Sequence, residues 1–337
     1  MSDSTERTIL TIHPGALGDV LLARPAMQAL QRAHPRHALG LLAGGEVARL
    51  LKASGEAAET FPLESEALAS LLAGPASVRH ALRDWLNRCD LAVAWMDDQE
   101  GCLEATLRAF GIRSVIVCSP NRAGRTVHQT SRYVETVREV VKAVETPRMI
   151  ALPHPYRQAG RERLASLGHG GNRPVVAVHP GSGSPHKCSD PSLLAAVADA
   201  LCADGCGVFL IGGPADDPIL VRASEACRTS PLIVQGLDQV SAAGVLANAD
   251  LFVGHDSGLT HLAAVLGRPT VAIFGPTDAD RWAPVGPHVR IVRGSSCRCR
   301  GWNEVEICRE KPCLRPDLEE LLNTCRDLLQ VRCDCVA

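Results

Sequence analysis

The chain has 337 residues, 46% hydrophobic and 21% charged, a balance that suits a globular protein of two domains. Lys and Arg number 35 against 37 Asp and Glu, and the resulting net charge of −2 excludes a general pull toward nucleic acid. Residues Met1 to Arg7 are polar and carry acids, unlike a signal peptide, and no apolar run reaches the roughly 18 residues of a membrane span, so a cytoplasmic protein is expected, at most peripheral to the inner membrane.

The pattern is one of short apolar runs alternating with helical stretches. Thr8 to Ile12 reads as a first strand, Pro14 to Gly18 as a turn, and Asp19 to Ala33 as a helix with a buried face. Ala38 to Ala43, Leu91 to Trp95 and Val115 to Cys118 read as further strands, continuous rather than alternating, as parallel strands covered on both faces require. Residues 151–173, rich in Pro and Gly, read as a linker. The strand pattern restarts at Val175 to Val178 and continues with Val208 to Ile211, Leu232 to Val234, Leu251 to Val253 and Thr270 to Ile273. Two such series predict an α/β protein of two doubly wound domains with a cleft between them: 1–150, then 174–315, with 316–337 as a C-terminal helix and Cys-containing tail.

In such sheets ligands bind beyond the carboxyl ends of the strands, so the chemistry is sought there. Asp19, following Gly15-Ala16-Leu17-Gly18, fits either a helix-capping acid or a general base. His179-Pro180-Gly181-Ser182-Gly183 with Lys187 offers small residues and a cation to an anion. Asp216 and Asp217, after Gly212-Gly213, read as first-turn acids of a helix. A helix opening at Ser257 or Gly258 would aim free N–H groups at a phosphate, with Asp256 as its cap or as a sugar ligand and His261 one turn in. Thr277 follows the next strand, and Asp278 and Asp280 beyond it read as a helix start rather than a metal pair. A dinucleotide fingerprint is discounted because His186 stands where a third glycine is wanted.

Three segments together resemble glycosyltransferase family 9, the heptosyltransferases: Gly15 to Leu21, His179 to Gly183 with Lys187, and Asp256 to Ala264 running on to Gly267-Arg268-Pro269 and Phe274-Gly275-Pro276-Thr277. The resemblance spans nearly the whole chain and implies the GT-B fold, with two Rossmann-like domains facing a central cleft. It implies an inverting transfer of a sugar, typically heptose from ADP-heptose, to a lipopolysaccharide-core acceptor without a catalytic cofactor. Asp19 then matches the catalytic base, Lys187 the donor diphosphate contact, Asp256 the donor-sugar ligand, and Ser257, Gly258 and His261 the phosphate turn. Many members carry an aromatic residue after the lysine motif, whereas this chain has Cys188. A nucleotide-sugar epimerase, a GT-B transferase using another donor, and a non-catalytic sugar-nucleotide binder are the competing readings.

Acceptors in this family are often phosphorylated, and Arg122, Arg125, His128 and Arg132 are candidate contacts, with a solvated helix face as the alternative. Seven of the 14 cysteines fall between Cys297 and Cys335. Cys297, Cys299, Cys308 and Cys313 are spaced to hold a structural Zn²⁺ or iron, or stand as unligated thiols.

Overall fold

The computed structural model describes residues 6–120, 127–141, 145–168 and 173–333. The chain divides into two compact units, Met1–Ala151 and Leu152–Ala337. Each is built on one parallel sheet.

The first sheet holds β1 (Arg7–Ile12), β2 (His37–Ala43), β3 (Glu59–Pro62), β4 (Cys89–Ala94) and β5 (Ser114–Val117), in the order β3-β2-β1-β4-β5. All its pairings are parallel. Ile9, Leu10 and Ile12 of the central strand are buried, and its threonines are satisfied inside: Thr8 Oγ1 donates to Trp85 O at 2.9 Å and Thr11 Oγ1 to Gly40 O at 3.0 Å. Such pairing is what lets a hydroxyl lie in a core. Helix α1 (Leu17–Ala33) follows β1 directly, two residues earlier than the sequence suggested.

The second sheet holds β6 (Val175–His179), β7 (Gly207–Ile211), β8 (Leu232–Val234), β9 (Leu251–His255), β10 (Thr270–Ile273) and β11 (Val289–Val292), in the order β11-β10-β9-β6-β7-β8. It too is wholly parallel. Strand order reverses between β1 and β4 in one sheet and between β6 and β9 in the other. Those switch points are where open α/β sheets leave a crevice at the carboxyl ends.

Two strands, β3 and β11, escaped the sequence reading. Both are edge strands, partly buried, without a continuous apolar run. Residues 151–173, expected as a linker, contain a 13-residue helix, His154–Ser166. Pro153 and Pro155 punctuate its start rather than break it, as proline is tolerated in a first helical turn. The helix packs on Gln239–Leu246 through two glycines: a Cβ on Gly160 would lie 2.0 Å from Gly244 O. The C-terminal helix, Leu318–Cys333, buries Leu321, Cys325 and Leu328 in the core of the second unit. No helix among the described residues is long and apolar enough to cross a membrane.

Candidate functional site

In the second unit the residues that follow β6, β9 and β10 converge on Asp256. Its Oδ2 accepts from Lys187 Nζ at 2.8 Å and from Thr277 Oγ1 at 2.8 Å, and its Oδ1 lies 3.8 Å from His261 Nε2. Burial works against the charge of this carboxyl, but His261 and Lys187 more than offset it and bring its pKa down to about 2. Asp256 is therefore ionised across the physiological range. Its carbonyl accepts from Ser182 Oγ at 2.6 Å, which ties the β6 loop to the same point.

Asp256 does not cap the next helix. That role falls to Ser257, whose Oγ accepts from Thr260 N at 3.3 Å at the head of the Gly258–Val265 helix. The amides of a first turn have no intrahelical acceptor. Thr260 N is taken by the cap, and Gly258 and Leu259, the first two residues of the helix, are half-buried.

Ser257 is itself oriented from behind. His179 Nδ1 lies 3.1 Å from Ser257 Oγ, and His179 Nε2 lies 3.1 Å from Asp216 Oδ2. Asp216 also accepts Gly213 N–H at 2.8 Å. Burial again opposes ionisation of Asp216, yet the bond from His179 and the Gly213 N–H hold the pKa below the usual carboxylate value. With an ionised Asp216 able only to accept, His179 donates from Nε2, and its Nδ1 and Thr260 Oγ1, at 3.1 and 3.0 Å, are the two neighbours of the Ser257 hydroxyl. Thr260 in turn donates its own hydroxyl to His255 O. A Ser–His–Asp row ordinarily suggests a nucleophile, but here the serine oxygen is engaged as a helix cap. Gly181 is needed beside it, because a Cβ there would lie 2.0 Å from Asp216 Oδ1. Asp216, read from the sequence as a first-turn acid, is thus a buried partner of the site; its only signal was its place after a strand. Asp217 does begin a helix, Asp217–Ala226, and Asp278 caps another by accepting Asp280 N–H at 3.0 Å.

The segment carrying Lys187 is held by His255, whose Nε2 accepts Ser189 N–H at 3.0 Å. Burial keeps His255 neutral, with a pKa lowered to about 3. Cys188 is buried, and burial pushes its thiol up to about 11.

In the first unit Asp19 is the third residue of α1, and its Oδ2 accepts Ala16 N–H at 3.2 Å. It is half-buried. Behind its turn lies a row that the sequence did not reveal. Gly15 N donates to His13 Nδ1 at 3.1 Å, which leaves His13 Nε2 to donate to Tyr133 Oη at 3.0 Å. Burial lowers the His13 pKa to about 4, consistent with that neutral tautomer. The Trp95 ring lies 5.5 Å from that of Tyr133, and its indole N–H donates to Thr136 Oγ1 at 2.9 Å. His13 follows β1 and Trp95 follows β4, the two strands at the switch point. Nearby is a cavity of about 1110 Å³, lined by Trp95, Cys118, Gln129, Arg132, Tyr133 and Arg138 among others. Arg132 therefore borders a cavity, whereas His128 caps the Gln129–Thr136 helix by accepting Thr130 N–H at 3.3 Å. Arg122 and Arg125 lie outside the described residues.

Of the four tail cysteines, three come together: the sulfurs of Cys297, Cys299 and Cys308 lie within 4.8 Å of one another. Cys313 is buried and borders Cys297. The Cys299 backbone N–H holds the Cys297 thiol below its usual value, while Cys297 pushes the Cys299 thiol up to about 12. Soft donors sharing a proton in this way fit Zn²⁺ or iron better than a hard cation.

The sequence profile of glycosyltransferase family 9 (heptosyltransferase) matches residues 112–312, more than half the chain. The chain is similar to lipopolysaccharide heptosyltransferase 3 of Escherichia coli, 26% identical over 287 residues that cover 79% of this chain and 83% of that one. Its fold matches the ADP-heptose lipopolysaccharide heptosyltransferase II of Escherichia coli with a TM-score of 0.73 at 20% identity, over 96% of this chain and 99% of that one. It also matches the iron-containing dodecameric glycosyltransferase TibC of enterotoxigenic Escherichia coli with a TM-score of 0.58 at 14% identity, over 96% of this chain and 78% of that one. These folds bear out the expected GT-B architecture, and the chain belongs to glycosyltransferase family 9.

Proposed function

We propose that this glycosyltransferase moves heptose from ADP-heptose to a lipopolysaccharide-core acceptor, with inversion at the anomeric carbon. The observation that carries the reading is the convergence of Lys187, Thr277 and His261 on Asp256 beside a serine-capped helix start. The Gly258 and Leu259 amides and Lys187 would take the diphosphate, and Asp256 the hydroxyls of the donor sugar. As the C1–oxygen bond breaks, negative charge would grow on the diphosphate, where these amides and the ammonium would stabilise it. Asp19 would take the proton of the acceptor hydroxyl that forms the new bond to C1. His179 and Gly181, expected at the donor site, would act there through the Ser257 cap and Asp216. Arg132, on its cavity, with Arg122, Arg125 and His128 would meet acceptor phosphate. Such an enzyme would work in the cytoplasm, at most peripheral to the inner membrane.

The relevant assay incubates the protein with ADP-heptose and a phosphorylated inner-core acceptor, without added divalent cation. The expected result is an acceptor heavier by one heptose and stoichiometric ADP, unchanged by magnesium. Conversion of donor alone to an isomeric sugar nucleotide would favour the epimerase reading instead.

Cys297, Cys299, Cys308 and Cys313 would hold a structural Zn²⁺ or iron, supported by three clustered sulfurs and by the iron of TibC. Metal analysis of the purified protein should then give near one atom per chain; less than about a tenth ends that assignment.

A further inference from the structure

The cysteine-bearing segment reaches the loop that carries Lys187 through the side chain of Lys311. Lys311 stands between Cys308 and Cys313 and donates from Nζ to Pro185 O at 2.8 Å and to Cys188 O at 3.3 Å. Those two carbonyls flank Lys187. No carboxylate pairs with the Lys311 ammonium among the described residues, so these carbonyls are its bonding partners in the described protein. A cation donating to two carbonyls of one short turn fixes that turn more firmly than a neutral donor would.

The Lys311 backbone is placed with some strain. It has φ 42 and ψ 52, in the left-handed region that non-glycine residues rarely adopt. Two glycines pack closely on the residues that follow Lys311, one on backbone and one on a side chain. A Cβ on Gly294 would lie 2.1 Å from Pro312 O, and one on Gly275 would lie 2.5 Å from Leu314. Gly294 N also donates to Cys313 O at 2.9 Å. Residues 311–314 are therefore wedged against the segments that follow β10 and β11. A second contact joins strap and loop: the His186 and Trp302 rings meet edge to face at 6.4 Å.

We infer that Lys311 is a positioning residue for donor binding, pinning the 185–188 turn so that Lys187 is presented to the diphosphate. This rests on the reading of Lys187 as a diphosphate contact. The cost of ordering the turn is met before the ligand arrives, which is how preorganisation raises affinity. The strained backbone at Lys311 is then explained by what its side chain holds.

The test compares wild type, Lys311→Met and Lys311→Arg. In the unliganded protein, hydrogen exchange at the amides of Lys187, Cys188 and Ser189 should quicken about tenfold in Lys311→Met, with β1 and β4 unaffected. Unchanged exchange there would overturn the inference without reference to any ligand. By calorimetry, ADP affinity should fall about tenfold in Lys311→Met and recover to within about threefold in Lys311→Arg, which keeps the donors. The acceptor KM should stay within about twofold, a split that general loosening of the fold would not produce. The double variant Lys187→Ala/Lys311→Met should bind ADP no more weakly than Lys187→Ala; fully additive losses would mean that Lys311 does not act through Lys187, and would overturn the inference. Should Lys187→Ala bind ADP like wild type, the donor-site reading fails, while the exchange result still judges the hold on the loop. If Lys311→Met does not fold, Lys311→Gln, which keeps one donor, takes its place in each arm.

Discussion

Replacing Asp256 by Asn removes a charge while keeping shape, and its consequences can be worked from the structure. The Asp256 side chain is 9% exposed, and its pKa lies near 2 instead of 3.8. A lowered carboxyl pKa means that the ionised form is favoured in the folded state. The stabilisation is complete above the unfolded value and is lost as pH falls through the folded one. Nearly two pH units correspond to about 2 kcal/mol at pH 7, with about half remaining at pH 3. Urea unfolding of Asp256→Asn should therefore show a loss of about 2 kcal/mol at pH 7 that narrows on acidification. The ligand consequence has a different sign for different parts of the donor. Lys187, released from its ion pair, is more available to phosphate, so ADP should bind at least as well. The sugar loses a charged acceptor, worth about 1.5–3 kcal/mol for a hydrogen bond to a charged group. The preference for ADP-heptose over ADP, measured by calorimetry on both variants, should drop at least tenfold. A preference unchanged within about twofold would refute the placing of the donor sugar on Asp256, whatever happened to stability.

Asp19→Asn should lower kcat by about 10²–10⁴ while leaving donor affinity in place, because proton removal from the acceptor is a step distinct from donor binding; turnover within about tenfold of wild type in single-turnover assays would show that Asp19 is not the base. His13 and His255 are buried neutral, with pKa values of about 4 and about 3, below the 6.5 of an unfolded histidine. The unfolded chain therefore takes up protons first, so stability is full above pH 6.5 and declines as pH falls toward the folded values. Between pH 7 and pH 5.5 the two should together cost about 2.5 kcal/mol in urea midpoint analysis, and a His13→Gln variant should show about half that slope; a flat profile would contradict the neutral assignment. Gly160→Ala should destabilise the second unit by about 1–3 kcal/mol, since its new methyl would fall 2.0 Å from Gly244 O and the two helices must part; chemical denaturation reads this directly.

The central strands were legible because each is covered on both faces and reads as an unbroken apolar run. Val176 and Val178 of β6 and Leu251 to Val253 of β9 are examples, all fully buried. β3, Glu59-Thr60-Phe61-Pro62, places only Phe61 in the core, so nothing in its composition distinguishes it from a loop. The loops of the candidate site were legible for a related reason: small residues, a lysine and acids follow the ends of parallel strands, where such sheets bind ligands. The supporting residues were not. Asp216 looks like any first-turn acid until His179 and Gly181 are known to lie against it, and His13 is one histidine among twelve until Tyr133 arrives from 120 residues away. Such contacts depend on tertiary proximity, which spacing along the chain does not encode. The helix in 151–173 was hidden by its own prolines, which mark a helix start as readily as a loop.

Strand order accounts for the composition of the site. In the second sheet β10, β9, β6 and β7 are consecutive neighbours, and all are parallel, so their carboxyl ends form one row. Thr277, Asp256 with Ser257, His179 and Asp216 follow or close those four strands in that order. The row performs two electrostatic tasks at once. At the β9–β10 side, an ionised Asp256 would repel a diphosphate were it not matched by Lys187 and His261 and by the helix start beside it. At the β6–β7 side, Asp216 fixes the proton of His179 on the far nitrogen, and the near one lies 3.1 Å from Ser257 Oγ. The Ser257 oxygen in turn receives Thr260 N–H at the head of the helix. An Asp216→Asn change, which keeps size but can donate to His179, is the substitution that would disturb this order while leaving the packing around it in place.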